Sequence, residues 1–557
     1  MRFFKRSYRS TLFSVFIALV LLLSACASSI STPPATPTAA ASPPAAEAAK
    51  GQSGNAQAEK ILYVATVNPP ASVNQINTQS DGASAVVYSL YNDSLMDVND
   101  KLEFLPKIAQ SVETKDNQTY TVKLNPAAKW NDGQPFTAAD VEFTLRTALH
   151  AKVDTNFTFN FIEGLNAAGK LDEGKTDISG LNIIDDKTFE IRTKTPVDPL
   201  VFKERFATKI YFLPKHILKD IPPEQINTNP YFQNPEVTIG AFKLSKFVKG
   251  SYTELSKNTN YYLGVPKLDK IFVKVLPATN LVAQLQTGEI HMNSLPFGLI
   301  PITDYEKVKG LPNIDVTTSE PTEPVELFFN TEKIPEKARQ AIAYALNRKL
   351  IVEQLLKGQG EVVDGALPPT HPYANTKIES YTYDPEKAKK LLQEAKWDFS
   401  KPLVFLIPVG NKIREQAADI LAQNLEAVGL KIEVQKYDFP TLIQKVRKVE
   451  FDLTIFNRGF YVEPSSYFTF FKSDGPNNWF KYKNPLADDL ILKGETEVIP
   501  NKRKEIYNQL QEVLHNDLPA LGIYSERRLQ AVNKQVIGGK PLRIGMFNNV
   551  QEWDIQQ

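Results

Sequence analysis

Hydrophobic positions along this chain recur with two periods, and between residues 402 and 457 the two alternate. Residues 402–407 form an apolar run that reads as a strand. Residues 412–428 place Ile413, Ala417, Ile420, Leu421, Leu425 and Val428 on one helical stripe, which Gly429 ends. A second strand at 430–436, a second helix at 441–449 and a third strand at 451–457 (FDLTIFN) follow. Strand, helix, strand, helix, strand predicts crossover connections and a parallel sheet. A dinucleotide-binding domain has this rhythm too, but the glycine-rich fingerprint after its first strand is missing. In open sheets ligands gather beyond the carboxyl ends of the strands. The residues after FDLTIFN, Arg458-Gly459-Phe460-Tyr461-Val462-Glu463-Pro464, are therefore the first candidates for a site.

The same periods predict elements elsewhere. Residues 61–67 read as a strand and 85–95 as a helix. Thr119–Leu124 alternates β-branched or aromatic residues with polar ones, as a half-buried strand does. Trp130-Asn131-Asp132-Gly133 is a turn, and Thr137 and Asp140 have the spacing of a capping box ahead of Val141, Leu145 and Leu149. Strand patterns recur at 181–193 and 208–213, a hairpin spans 238–255 with its turn at Lys249-Gly250, and a short helix at 279–288 stops at Gly288. A strand at 326–330 leads to a long helix at 337–356, and Asp384-Pro385 has the form of an N-cap and first helical residue.

Length and charge narrow the class. The chain has 557 residues, more than one core usually serves. Its 64 Lys and Arg balance 63 Asp and Glu, which argues against a nucleic-acid partner. Arg2, Lys5, Arg6 and Arg9 precede an apolar run at 11–23, too short to span a bilayer and suited to a signal peptide over residues 1–25. The run ends Leu23-Ser24-Ala25-Cys26, which resembles a bacterial lipobox; Cys26, the only cysteine, is the expected site of lipidation. A diacylglyceryl group brings two chains, and at about 0.8 kcal/mol per buried CH₂ that is a stable anchor. Residues 26–57, rich in Ala, Pro, Ser and Thr, read as a disordered tether.

Candidate chemistry is sparse. No Gly-x-Ser-x-Gly elbow, His-Glu-x-x-His or phosphate loop is present, and the five histidines have no metal spacing. No cofactor and no metal are expected, and the chain does not read as an enzyme. His216, in Leu213-Pro214-Lys215-His216, reads as structural.

The string from Thr119 to Leu145, with Tyr120, Lys123, Leu124, Trp130, Asp132, Gly133, Pro135, Thr137, Ala138, Asp140 and Val141, resembles the signature of the family 5 extracellular solute-binding proteins. These are the oligopeptide, dipeptide and nickel receptors of ABC importers. Tyr383-Asp384-Pro385-Glu386-Lys387-Ala388 and the words around 328–353 match further patterns, with Asn347 and His291 at places where the family commonly has Asp. The resemblance runs from about residue 60 to 540.

It implies an α/β, two-lobed periplasmic-binding-protein fold of type II, in the large class whose first lobe carries an extra subdomain. The first lobe would take residues 58–95, 207–320 and 528–557, the inserted subdomain 96–206 and the second lobe 321–527. The lobes would close over ligand by hinge motion. Peptide-binding members carry an Asp in the loop aligned with 458–464, paired with the peptide's amino group. That position is Phe460 here, and Glu463 holds the place of another common acid. The ligand-binding candidates are Arg458, Gly459, Phe460 and Tyr461, with Asn478, Trp479 and Phe480 as aromatic and polar company.

The function implied is a monomeric, lipid-anchored receptor in the cell envelope, facing the periplasm or the cell exterior. It captures an oligopeptide and delivers it to an ABC permease. An oligosaccharide or other non-peptide solute, favoured by Phe460, is the alternative within the family. A surface glycosidase, whose carboxylate pair sequence alone leaves open, and a receptor for a signalling partner lie outside it.

Overall fold

The structure is a computed structural model that describes residues 58–77, 81–459, 461–475 and 477–556. The signal segment, the tether, Cys26 and Phe460 lie outside the described residues.

Two mixed sheets carry the architecture. The first has seven strands in the order Ile314–Thr318, Leu529–Asn533, Met292–Asn293, Ile61–Thr66, Lys270–Val275, Tyr252–Lys257 and Phe242–Val248. The second has six: Gly360–Glu361, Ala520–Glu526, Pro324–Phe329, Leu453–Asn457, Pro402–Pro408 and Lys431–Tyr437. In the second sheet Pro402–Pro408 runs parallel to both Lys431–Tyr437 and Leu453–Asn457, the arrangement the alternating periods predict. Leu421 and Leu425 of the intervening helix Lys412–Ala427 are buried in the core beside Phe405 and Ile455.

The chain passes between the sheets twice, at residues 319–323 and 527–528. The two passages are tied to each other: the Ser319 amide donates to the Arg528 carbonyl at 2.9 Å, and the Arg528 amide to the Ser319 hydroxyl at 3.1 Å. Glu323, buried in the first passage, accepts from Arg528 at 2.7 Å and pairs with Arg543. Burial opposes its charge, but the two guanidiniums outweigh burial and hold its carboxyl below the ordinary range.

A four-stranded antiparallel sheet, Ala109–Thr114, Thr119–Leu124, Thr188–Arg192 and Leu181–Asp185, forms a separate layer. Its core gathers Trp130, Phe136, Phe189, Phe202 and Phe206 and continues to Ile239. Asp140 performs its half of the cap on the helix Ala138–Ala148, accepting from the Thr137 amide at 3.0 Å.

Two expected elements differ. Residues 208–213 form no strand; Ile210, Phe212 and Leu213 are buried in the subdomain core, and the Leu213 amide donates to the Thr144 hydroxyl at 2.9 Å instead of to a neighbouring strand. The long helix at 337–356 is broken. Glu336–Ala345 ends at Leu346, which is extended, and the Asn347 side chain caps a new turn by accepting from the Leu350 amide at 3.0 Å. Asparagine supplies the cap oxygen that an aspartate would.

Candidate functional site

Strand direction locates the site. Pro324–Phe329 leaves the first passage, and Leu453–Asn457 runs antiparallel to it, with Asn457 opposite Val325. The carboxyl ends at Asn457, Pro408 and Tyr437 therefore all point back toward the first sheet. In the first sheet Leu529–Asn533 leaves the second passage, Met292–Asn293 opposes it, and Ile61–Thr66 and Lys270–Val275 run with Met292–Asn293. Thr66, Val275 and Asn293 thus point toward the second sheet. Loops at 67–77, 276–277 and 294–301 face loops at 409–411, 438, 458–459 and 461–464, which is where open sheets bind ligands.

Each rim is built tightly. On the first, the Val67 amide donates to the Phe297 carbonyl at 2.7 Å, and Gly298 lies so close to the Ala65 carbonyl that a Cβ there would sit 2.4 Å from it. On the second, Val409 and Phe439 are exposed at 41% and 46%, and Gly459 is exposed at the end of the neighbouring strand.

The 458–464 loop is held from several sides. Arg458 is buried; Nε donates to Glu326 Oε2 at 2.5 Å and Nη2 to Oε1 at 2.7 Å, while Nη1 donates to the Tyr467 carbonyl at 2.6 Å. Its guanidinium is committed to the protein. Tyr461 is half-buried, its ring edge-on to Tyr467 at 5.1 Å and its amide donating to the Tyr467 hydroxyl at 3.2 Å. The buried His371 accepts from the Tyr373 amide at Nδ1, 3.2 Å, so its Nε2 carries the proton and donates to the Val462 carbonyl at 3.0 Å. Burial holds its pKa down to about 4. Glu463 is wholly buried, ion-paired with Arg503 and bonded to the Ser465 hydroxyl.

Two further amides of the loop are bonded from the subdomain. Glu204 Oε1 accepts from the Val462 amide at 2.9 Å and Oε2 from the Glu463 amide at 2.5 Å. Glu204 sits in a π-helical turn, Lys203–Ala207, a widened geometry that recurs at functional sites.

The other candidates lie elsewhere. The Phe480 ring is fully buried, stacked on Phe328 at 4.3 Å, and its carbonyl accepts from Thr331, beyond the end of the strand remote from the passages. Trp479 packs edge-on to Phe470 at 5.9 Å and under Arg447, at the far end of the helix Phe439–Arg447 whose first residue is on the rim. Asn478 closes a local turn through its bonds to the Tyr482 main chain at 2.6 and 3.1 Å. The structure therefore groups Arg458, Gly459 and Tyr461 on the rim and separates them from Asn478, Trp479 and Phe480.

Glu326, His371 and Glu204 were not among the expected site residues. Glu326 has a sequence signal: it is the one charge inside the apolar run PVELFF, which demands a buried partner. Glu204, in KERFA, has none. His291 gains an explanation: its Nδ1 accepts from the Tyr63 amide at 3.1 Å, tying the strand Ile61–Thr66 to the residue just before the strand Met292–Asn293. His216 bonds Asp132 at 2.7 Å. Among the described residues no cluster of three or more His, Cys, Asp or Glu is arranged to hold a metal, and no helix is long and apolar enough to cross a membrane.

Two lobes, two passages between them and rims of strand ends that face each other define the type II periplasmic-binding-protein fold. The chain belongs to the bacterial extracellular solute-binding proteins, family 5, whose model matches residues 103–479. It is 26% identical to the oligopeptide-binding protein AppA of Bacillus subtilis, over 99% of either chain. It is also 26% identical to the dipeptide-binding protein of Escherichia coli, over 89% of this chain and 95% of that one. The structure of the Bacillus subtilis protein in complex with a nonapeptide superposes with a TM-score of 0.76 at 24% identity, covering 90% of this chain and all of that one.

Proposed function

We propose that this protein is the capture component of an ABC importer and that its solute is an oligopeptide. The observation that carries the reading is the pair of facing rims at the carboxyl ends of the strands, in a chain of a solute-binding family. The peptide assignment is supported by the specificities of the Bacillus subtilis and Escherichia coli relatives, an oligopeptide-binding and a dipeptide-binding protein. Solute would lie between the loops at 67–77 and 294–301 and those at 409–411, 458–459 and 461–464, and closure would follow from its better fit to the closed form. Val409, Phe439 and Tyr461 offer apolar and aromatic surface to side chains. Glu463 is bound to Arg503, so the usual carboxylate partner of a peptide's amino group has no counterpart in this loop's described residues.

The first lobe is assigned to 58–95, 207–320 and 528–557, with Ile210 to Ile239 packed on the subdomain's core, the subdomain to 96–206 and the second lobe to 321–527. A monomer, tethered through lipidated Cys26 outside the membrane and passing solute to a separate permease, completes the proposal. No catalytic step is assigned to it. Thermal unfolding in the presence of a mixed peptide digest tests the assignment. Ligand at a hundred times its Kd stabilises by about 2.7 kcal/mol, so the melting point rises with peptides and stays still with oligosaccharides. The reverse pattern would reject the peptide assignment. Cys26→Ser should release the protein from the membrane fraction.

A further inference from the structure

We propose that Glu204 is a proton-operated latch between the lobes: its carboxyl takes up a proton as the lobes close onto the Val462 and Glu463 amides and releases it as they part. The proposal rests on the reading of the molecule as a receptor that closes by lobe movement and is independent of which solute it binds.

The latch joins two separate cores. Phe202, Phe206 and Ala207 around Glu204 pack with the four-stranded sheet of the subdomain. Tyr467, Phe468 and Tyr507, around the loop it grips, belong to a core of the second lobe. Besides the two amide bonds of Glu204, Arg205 donates to the Ser465 hydroxyl at 2.8 Å and to Glu495 at 2.7 Å. The Asp198 amide donates to the Glu495 carbonyl at 3.1 Å, and Asp198 pairs with Arg503 at 3.3 Å. Every one of these contacts crosses between the lobes.

The charges that meet there do not balance. The subdomain side brings Asp198, Glu204, Arg205 and Lys209, and the second lobe brings Glu463, Glu495 and Arg503, with the hydroxyls of Tyr461, Tyr467 and Tyr507 around them. Four carboxylates thus face two guanidiniums and one ammonium, and that ammonium also acts on Asp97. Glu463 has Arg503 against it and Glu495 has Arg205. Glu204 accepts two main-chain amides and has only Lys209 as a cation, with the Glu463 carboxylate beside it. Burial raises the Glu463 carboxyl as well, but Arg503, on the same lobe, stays against it whether the lobes are open or closed; Glu204 is the carboxyl whose surroundings change on closure, and one proton removes its charge.

The direction is set by burial. Burial, opposed by Lys209 and by the Val462 and Glu463 amides and reinforced by the Glu463 carboxylate, pushes the Glu204 carboxyl up to about 7 in the closed arrangement, against an ordinary 4.5 once water surrounds it. Closure is therefore unpenalised below about 4.5 and is opposed increasingly as pH rises through 7. Between pH 5 and 8 the closed-to-open ratio should fall on the order of fiftyfold.

The test needs no solute. Spin labels go on the full chain carrying Cys26→Ser, at Lys219→Cys, next to Leu218 of the core that the subdomain shares with the first lobe, and Lys504→Cys on the second lobe, both exposed positions. Pulsed dipolar spectroscopy then reads the interlobe distances from pH 5 to 8. The short distance should lose population as pH rises in the parent, and its population should be independent of pH in Glu204→Gln. Glu204→Ala, which carries no hydrogen-bonding group at that position, is read in the same way. Two distances whose ratio ignores pH in the parent, or follows pH equally in both variants, overturn the latch alone. A single fixed distance in every variant overturns lobe closure, and the latch with it.

Discussion

Arg458 and Glu326 share two parallel hydrogen bonds, at 2.5 and 2.7 Å, inside a region that water does not reach. Glu326 lies on the strand that leaves the passage between the lobes, and Arg458 opens the candidate binding loop. The pair fixes where that loop starts relative to the hinge. Arg458→Met leaves Glu326 charged and buried without a partner, at a cost of about 3–5 kcal/mol. Adding Glu326→Leu should return most of that loss. Urea midpoints of the parent, the single and the double variant check this.

Trp479 and Phe480 are neighbours in sequence with different consequences when cut back. Phe480→Ala empties a ring stacked between Phe328 and the rest of the second-lobe core, so unfolding should become easier by about 3–5 kcal/mol. Trp479 is half-buried against Phe470 and Arg447, and Trp479→Ala should cost less than half as much. Neither should alter solute affinity by direct contact. Denaturation and binding measured side by side separate the two effects.

His371 makes the fold sensitive to acid. Its folded pKa is about 4 against an ordinary 6.5, so between those values the unfolded chain binds a proton that the folded chain refuses. Its contribution is complete above about 6.5 and is lost as pH falls toward 4. The loss is about 3 kcal/mol. In His371→Gln the part of the acid-stability profile in that window should flatten. This is a change in unfolding and is read separately from the interlobe distances that Glu204 controls.

Asn347 ends one helical segment and starts the next. Asn347→Ala removes the cap on the Leu350 amide and should cost about 1 kcal/mol, while Asn347→Asp should keep it. Melting points of the two variants distinguish these outcomes.

Much of the second lobe was legible because its strands and helices differ in period, and residues 402–457 carry both periods without interruption. The break at Asn347 was hidden because the apolar stripe of 337–356 continues through it, and a stripe does not register a single extended residue such as Leu346. Residues 208–213 have a strand's composition, but their burial is satisfied by side-chain packing with no neighbour to pair with. The loop at 458–464 could be placed from topology alone. Its environment could not: Glu204 is distant in sequence, and nothing in KERFA distinguishes an acid aimed at two buried amides from one on the surface. Arg458 and Glu463 read as ligand candidates for the same reason, since sequence shows a charge but not the partner that already holds it.

The central claim is that a peptide occupies the space between the two rims. The full chain is purified, denatured, and what it releases is weighed by mass spectrometry. Tight ligands survive purification because they stabilise the form that binds them. A ladder of peptide masses is the predicted result. A sugar or a single non-peptide metabolite, released in place of peptides, would contradict it.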